Sequence, residues 1–463
     1  DGPGPWDLGA GTYLSDGKAG LGSYKSPTTR LIAFFGRVNY SFDDRYLMTL
    51  NLRYEGSSKF YSNRWGLFPG ISAGWRISSE KFMRDVRVVD DLKLRVSYGT
   101  TGNQGFSTNT AYRMYSKDSW TYYNGQWLTV YGLMHNQNRD MKWEIKKEFD
   151  VGLDFSLFNR RLSGRMDYFS RKIEDAIYSG IPVASPPAVY STSTVNIGDI
   201  TNKGFEFELN GRVVDTRDWT FDTSLVGSFV GKSRLEGMAK DTHMEFQPMP
   251  HGGGSAVRIF GGQEIGRYFL YRFAGVREED GTPMIYSKDN KVIPYASGTD
   301  EDRVQTGNGL PKAVLSWNNT VRYRNWDLNL FFRSWLGQDV YNVTDMIQGV
   351  NCKITEGQNL LRTAYRRNKA ISNTDRLMLL DYWLEKGDFL KLDAVTLGYT
   401  LPRNKIKYVE KLRCYFTVRN VCTLTGYSGL DPEVNVNGLA PGFEGMSQYP
   451  RTRSFILGIE IGF

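Results

Sequence analysis

Residues 144–157 read Glu144-Ile-Lys-Lys-Glu-Phe-Asp-Val-Gly-Leu-Asp-Phe-Ser-Leu157. Ile145, Lys147, Phe149, Val151, Leu153, Phe155 and Leu157 fall on one side of an extended chain, and all but the lysine are apolar. Glu144, Lys146, Glu148, Asp150, Gly152, Asp154 and Ser156 fall on the other, and none is a large apolar residue. Strand side chains alternate between faces, so unbroken alternation over fourteen residues is a strand signal that a helix cannot use. Length adds a second constraint. Sandwich strands usually run roughly 5–6 residues, whereas a tilted strand needs about 9–11 to cross a bilayer.

The pattern recurs along the chain. Phe205, Phe207, Leu209 and Val213 alternate with Glu206, Glu208, Asn210 and Arg212. Trp219, Phe221, Leu225 and Phe229 alternate with Thr220, Asp222, Ser224 and Ser228. Tyr46 to Glu55 behaves likewise, and so does Trp326 to Arg333, broken only by Phe331. Aromatic residues make up 14% of the 463, which favours sheet, because large rings fit a pleated surface. They gather at strand ends, at Tyr46 and Tyr54, Phe149 and Phe158, Trp219 and Phe229, as rings settling at headgroup level do. Packing between two soluble sheets is the alternative explanation. No run approaches the roughly 18 uninterrupted apolar residues of a helical span. The negative mean hydropathy does not exclude a membrane barrel, whose lumen face is polar. In such a barrel Ile145, Phe149, Val151, Leu153 and Phe155 are expected to face lipid, and Glu148, Asp150 and Asp154 the lumen.

Connections alternate between tight and long. Asp43-Asp44-Arg45, Asn159-Arg160-Arg161, Asp215 to Asp218 and Asn325 are tight; the segments near 99–143, 177–203, 233–311, 341–388 and 420–452 are long. Outer-membrane barrels have short periplasmic turns and long external loops. The chain ends Arg453-Ser-Phe-Ile-Leu-Gly-Ile-Glu-Ile-Gly-Phe463, with Phe455, Leu457, Ile459, Ile461 and Phe463 on one face. An alternating last strand that stops on Phe463 resembles the signal by which bacteria recognise barrels for insertion. With that strand running toward the periplasm, spanning strands fall near 31–42, 46–55, 67–77, 91–98, 143–158, 162–176, 203–213, 219–232, 312–324, 326–340, 389–400, 411–420 and 454–463. The strand-like segments 111–117 and 265–275 belong to outer loops, because either one alone as a span breaks the parity. Thirteen is odd, and single-chain bacterial barrels have even numbers. The expectation is therefore an all-β, antiparallel transmembrane barrel of which these residues supply a C-terminal portion: residues 1–30 an extracellular loop segment, residues 31–463 barrel strands and their loops.

Several stretches resemble the SusC/RagA family of TonB-dependent outer-membrane transporters. They are Phe34-Phe-Gly-Arg-Val-Asn-Tyr-Ser-Phe42, Arg64-Trp-Gly-Leu-Phe-Pro-Gly-Ile-Ser-Ala-Gly-Trp-Arg-Ile77, Leu92-Lys-Leu-Arg-Val-Ser-Tyr-Gly-Thr-Thr-Gly-Asn-Gln-Gly105, Asn196-Ile-Gly-Asp-Ile-Thr-Asn-Lys-Gly-Phe-Glu206 and Leu430-Asp-Pro-Glu-Val434. The resemblance implies a barrel of about 22 strands around a plug, of which the thirteen here would be the last. It also implies a SusD-like surface lipoprotein that closes over the barrel mouth, and energy coupling to the TonB complex. No plug and no TonB box precede residue 31, so both are expected from a part outside these residues, together with the N-terminal barrel portion.

Active import of a large solute across the bacterial outer membrane, a glycan fragment or a peptide, is the expected function. A passive porin fits the strand pattern equally, and a barrel enzyme is a third class. Against the enzyme, the only histidines are His135, His243 and His251, all in expected loops and in no catalytic motif. The cysteines Cys352, Cys414 and Cys422 form no CxxC pair, and Cys414 and Cys422 lie too far apart along one strand to bond. No cofactor or metal is indicated: Asp431 and Glu433 read as turn residues rather than a cation site, and Gly252-Gly-Gly254 lacks the features of a phosphate cradle. The net charge of +8 is spread among 50 acidic residues, as in a solvated lumen, rather than focused as on a nucleic-acid surface. Trp120, Tyr122, Tyr123, Trp127 and Tyr131 are the candidate solute-binding residues, because sugars stack on such rings; packing of that loop on itself or on the lid is the competing account.

Overall fold

The computed structural model describes residues 29–107, 110–184, 186–238, 243–249, 254–351, 357, 359–371, 379–402, 409–445 and 448–463. The expected loop segment at 1–30 thus lies outside the described residues but for its last two. Thirteen long strands follow one another in a single antiparallel sheet in chain order: β1 (Leu31–Phe42), β2 (Tyr46–Ser57), β3 (Trp65–Arg76), β4 (Val89–Asn103), β5 (Glu144–Leu157), β6 (Leu162–Glu174), β7 (Asp199–Asp215), β8 (Trp219–Val230), β9 (Ala313–Tyr323), β10 (Trp326–Leu336), β11 (Phe389–Thr400), β12 (Lys411–Thr425) and β13 (Ser454–Gly462). They are the thirteen expected spans, with β4 and β7 extended further into the loops. Residues 111–117 and 265–275 contribute only to separate loop sheets. Among the described residues β1 pairs only with β2 and β13 only with β12, so the sheet has two open edges.

Local chemistry sets the tight turns. Asp43 and Asp44 adopt φ of 53° and 50°, and Asn159 and Arg160 adopt 56° and 61°. Two successive left-handed residues make the hairpin turn whose twist matches that of the flanking strands, and Asp and Asn tolerate it best. Arg45 N–H closes the first turn on the Phe42 carbonyl at 3.0 Å. Register then aligns rings at the turn end of the apolar face: Phe42 beside Tyr46, Tyr46 beside Trp75, Trp219 against Tyr323 at 4.4 Å and Trp326 against Tyr399 at 4.7 Å. Phe455, Leu457, Ile459 and Phe463 on the same face are all more than half exposed.

On β5, Phe149 stands out from the sheet, and Leu153 shares its face. Glu148 and Asp154 turn the other way, into ion pairs with Arg171 and Arg95. Ile145 departs from the expected lipid contact: at the loop end of β5 it packs against the buried cluster of Phe60, Phe68, Phe106, Met141 and Trp143. The strand there has risen out of the bilayer into loop structure.

One irregularity decides where a charge goes. Val395, Leu397 and Tyr399 share the apolar face of β11, so strict alternation would send Lys391 toward lipid. Phe331 and Phe332 of β10 pair with Ala394 and Leu392, leaving Asp393 as an extra residue. Such a bulge reverses the phase of the strand beyond it, so Lys391 joins Arg333 on the polar face. Phe331, the break in the β10 pattern, sits at this bulge.

An arginine at Leu153, in the middle of the apolar face of β5, should cost about 2–4 kcal/mol, because a basic side chain there meets hydrocarbon. Asp150→Arg, on the polar face among Glu148, Asp167 and Glu206, should cost less. Fractions of folded, heat-modifiable barrel after titration with denaturant in bilayers compare the two; equal losses would contradict the assigned faces.

Candidate functional site

The polar face of the sheet is a wall of cross-strand ion pairs. Arg95 of β4 holds Asp154 of β5 at 2.9 Å and Asp167 of β6 at 2.7 Å, over Gly152, where any side chain would collide with them. Arg171 grips Glu148 through two nitrogens at 3.0 and 3.2 Å. Arg165 meets Glu208 at 3.1 Å, Asp222 lies between Arg212 at 2.9 Å and Arg322 at 3.1 Å, and Arg413 is bidentate on Asp327 at 3.0 and 2.6 Å. Two depressions of about 620 and 380 Å³ lie along this wall, the larger across β4–β9 and edged by Asp154, Arg165, Glu206, Glu208 and Ser316, the smaller across β6–β9 and edged by Arg212, Asn318 and Thr320. Neighbouring strands neutralise each other's charges, which leaves a hydrated, polar surface without a strong field of one sign.

Above the wall the long connections fold together. Between β8 and β9, Tyr268–Val276, Pro283–Tyr286, Val292–Pro294 and Arg303–Thr306 form a four-stranded sheet. Between β10 and β11, Asp339–Asn342 pairs with Leu384–Lys386 and, in parallel, with Phe443–Glu444 from the β12–β13 connection. Tyr268, Leu270, Ile285, Tyr341, Leu380 and Trp383, all fully buried, make the core of this platform. The Tyr268 hydroxyl lies 2.9 Å from the carbonyls of both Asp339 and Gly442, tying three loops at one point. Burial pushes that phenol well above its ordinary range.

A second tie joins platform to wall. Lys391, 1% exposed, reaches Asp431 at 2.8 Å and Glu433 at 2.9 Å. Arg333 meets Glu433 at 2.9 Å and Asp393 at 3.2 Å; Arg451 meets Asp431 at 2.9 Å and Glu433 at 2.8 Å. Asp431 and Glu433 are therefore more than the turn residues the sequence suggests: with Asp393 they are the anions of a six-residue clasp. Burial raises the Glu433 carboxyl, but the hydrogen bonds from Arg333 and Lys391 outweigh it and hold the group below the usual carboxylate range. Sequence reasoning missed this clasp; its one signal was a lysine within Phe389-Leu-Lys-Leu392.

The five candidate aromatic residues all lie on one exposed hairpin, Tyr115–Tyr123 paired with Gln126–Leu133. Its register puts Trp120, Tyr122, Trp127 and Tyr131 on one face and Tyr123 on the other. Tyr122 and Trp127 come within 5.2 Å, and Tyr122, Tyr123, Trp127 and Tyr131 are each more than half exposed. Of the histidines, His135 lies 3.1 Å from the Tyr112 carbonyl and His243 lies 3.7 Å from Glu245, while His251 and Cys352 lie outside the described residues. Cys414 and Cys422 are free thiols, and among the described residues no group of three or more His, Cys, Asp or Glu could hold a metal.

A family profile described as "TonB dependent receptor-like, beta-barrel" matches residues 2–421. The chain belongs to the TonB-dependent receptor-like β-barrel family. Within it the chain is of the SusC/RagA type and is an outer-membrane protein. It is 29% identical to TonB-dependent receptor SusC of Bacteroides thetaiotaomicron, over 94% of this chain and 44% of that one. It is also 29% identical to TonB-dependent receptor P3 of Formosa agariphila, over 94% of this chain and 46% of the relative. The chain thus spans about half the length of the curated relatives it matches. The structure of the RagAB peptide transporter superposes with a TM-score of 0.80 over 94% of this chain and 47% of that one; at 22% identity the likeness is one of fold.

Replacing Lys391 by Met should loosen the clasp by about 1.5–3 kcal/mol, since Asp431 and Glu433 each lose a charged hydrogen bond while keeping Arg451. Hydrogen exchange across residues 426–445 should quicken while the barrel strands stay protected. Glu433 gives the clasp a pH dependence. A depressed carboxyl contributes stability that is present above its unfolded value of about 4.3 and is lost as pH falls through the lower folded value. Protection in this segment, taken relative to intrinsic amide exchange at each pH, should accordingly fall below about pH 4 and stay flat from there to neutrality.

Proposed function

We propose that this chain is the C-terminal portion of an active importer that carries a large solute, a glycan fragment or a peptide, across the outer membrane. The observation that carries the proposal is the pairing of a charge-balanced polar wall with a folded platform over it, in a chain of the SusC/RagA type. A passive pore needs only the wall. A platform with its own hydrophobic core and two buried ties suits a mouth that must hold a solute and meet a lid. The solved relative described as a peptide transporter supports the peptide choice, and the exposed rings of the 115–133 hairpin support either class.

In this proposal further strands, from a portion outside these residues, pair with the free edges of β1 and β13 and enclose a plug. An open edge in lipid would strand backbone groups at several kcal/mol each. A SusD-like lipoprotein covers the platform, and TonB engages the outside portion. Uptake of labelled peptides and oligosaccharides by cells carrying the full-length protein tests it. Import should stop when TonB is removed, and the lipoprotein should co-purify from detergent extracts; entry that continues without TonB would favour the porin.

Trp120, Tyr122, Tyr123, Trp127 and Tyr131 are assigned to the solute. Tyr122→Ala with Trp127→Ala should weaken solute binding at least about tenfold, roughly 1.4 kcal/mol, since buried aromatic anchors dominate such contacts. Unchanged solute affinity with loss of the lipoprotein from the complex would assign the rings to the lid. Phe463 is assigned to assembly. Deleting it should lower the yield of heat-modifiable barrel in membranes, and an unchanged yield would remove that role.

A further inference from the structure

The connection between β3 and β4 is the longest of the turn-side links, and it does not hang free. Residues Ile77–Ser79 and Lys81–Met83 form two 3₁₀ turns, and between them Glu80, 9% exposed, accepts from the Tyr46 hydroxyl at 2.7 Å, Trp75 Nε1 at 3.0 Å and Arg45 Nη1 at 3.2 Å. Tyr46 and Trp75 are register partners on the apolar, lipid-facing side. Glu80 therefore folds the connection outward, against the ring of aromatics at the turn end of the barrel. Val88 continues that rim, its carbonyl accepting from Phe158 N–H at 2.9 Å.

Held there, the segment Lys81-Phe-Met-Arg-Asp-Val-Arg-Val88 displays both halves of an interfacial surface. Phe82 is 65% exposed, and Val86, Val88 and Phe158 are exposed beside it. Lys81, Arg84 and Arg87 are also exposed, and among the described residues none of them makes an ion pair. An aromatic ring at headgroup depth flanked by unpaired cations suits a phosphate-bearing membrane surface, where the ring enters the acyl boundary and the cations meet the phosphates.

We infer that residues 81–88 form a lipid anchor on the periplasmic rim, with Phe82 seated in the inner leaflet and Lys81, Arg84 and Arg87 binding phospholipid phosphates. The occupant follows from two features: the surface is continuous with the lipid-facing girdle, and its charge is complementary to phosphate. The inference rests on the barrel orientation proposed above and is independent of the solute.

The test uses the full-length protein in vesicles of phosphatidylcholine, with or without phosphatidylglycerol. Cys352, Cys414 and Cys422 are replaced by Ala, and a fluorophore is placed at Phe82→Cys or, as a control, at Leu153→Cys. Nitroxide at acyl carbon 5 should quench the Phe82 label at least about twofold more than nitroxide at carbon 12, as interfacial depth requires. Nitroxide-labelled phosphatidylglycerol should quench it more than labelled phosphatidylcholine, and Lys81→Ser, Arg84→Ser and Arg87→Ser together should abolish that preference. Quenching of the Phe82 label by aqueous iodide, with the Leu153 label still quenched by lipid, would overturn the anchor alone. Protection that appears only when periplasmic proteins are added would assign the surface to a protein and overturn it too. Loss of lipid quenching at Leu153 would instead bring down the assignment of the sheet's apolar face to lipid.

Discussion

Hydrocarbon offers backbone N–H and C=O groups nothing to bond, and that constraint organises this molecule. Thirteen strands in chain order, each laddered to the next, satisfy every interior strand of the sheet. Alternation then does the sorting: rings and branched aliphatics on one face, ion pairs on the other. Because no side chain inside the bilayer has a soluble core to enter, the largest hydrophobic core among the described residues lies elsewhere, in the loop platform around Tyr268, Tyr341 and Trp383.

The same constraint explains the clasp. A lysine in a strand must reach water or a counter-ion, and the bulge at Asp393 turns Lys391 away from lipid toward Asp431 and Glu433. The bulge, the buried lysine and the folded β12–β13 connection are thus one arrangement. It couples the barrel wall to the platform.

The strands were legible because period-two alternation is a local property: Glu144 to Leu157 carries its fold in its own residues. The turns were legible for the same reason, through Asp43-Asp44 and Asn159. The platform was not, since its contacts join residues far apart, as Tyr268 and Gly442 do. Ile145 was assigned to lipid by a pattern that cannot report where a strand leaves the membrane. The clasp was hidden because strict alternation hides a bulge, although Phe331 marked its position. Of the candidate site, the gathering of Trp120 to Tyr131 was visible in the spacing, but the separation of Tyr123 from the other four rings needed the hairpin register.

The central claim is that one face of this sheet meets lipid and the other a water-filled lumen. Spin labels placed singly at Phe149, Asp150, Val151, Leu153, Asp154 and Phe155 in the full-length protein in bilayers test it most directly, through their collisions with oxygen and with a water-soluble nickel chelate. Labels at Phe149, Val151, Leu153 and Phe155 should meet oxygen, and labels at Asp150 and Asp154 the chelate. Accessibility that varies smoothly along the strand, or one phase shared by all six positions, would contradict the account.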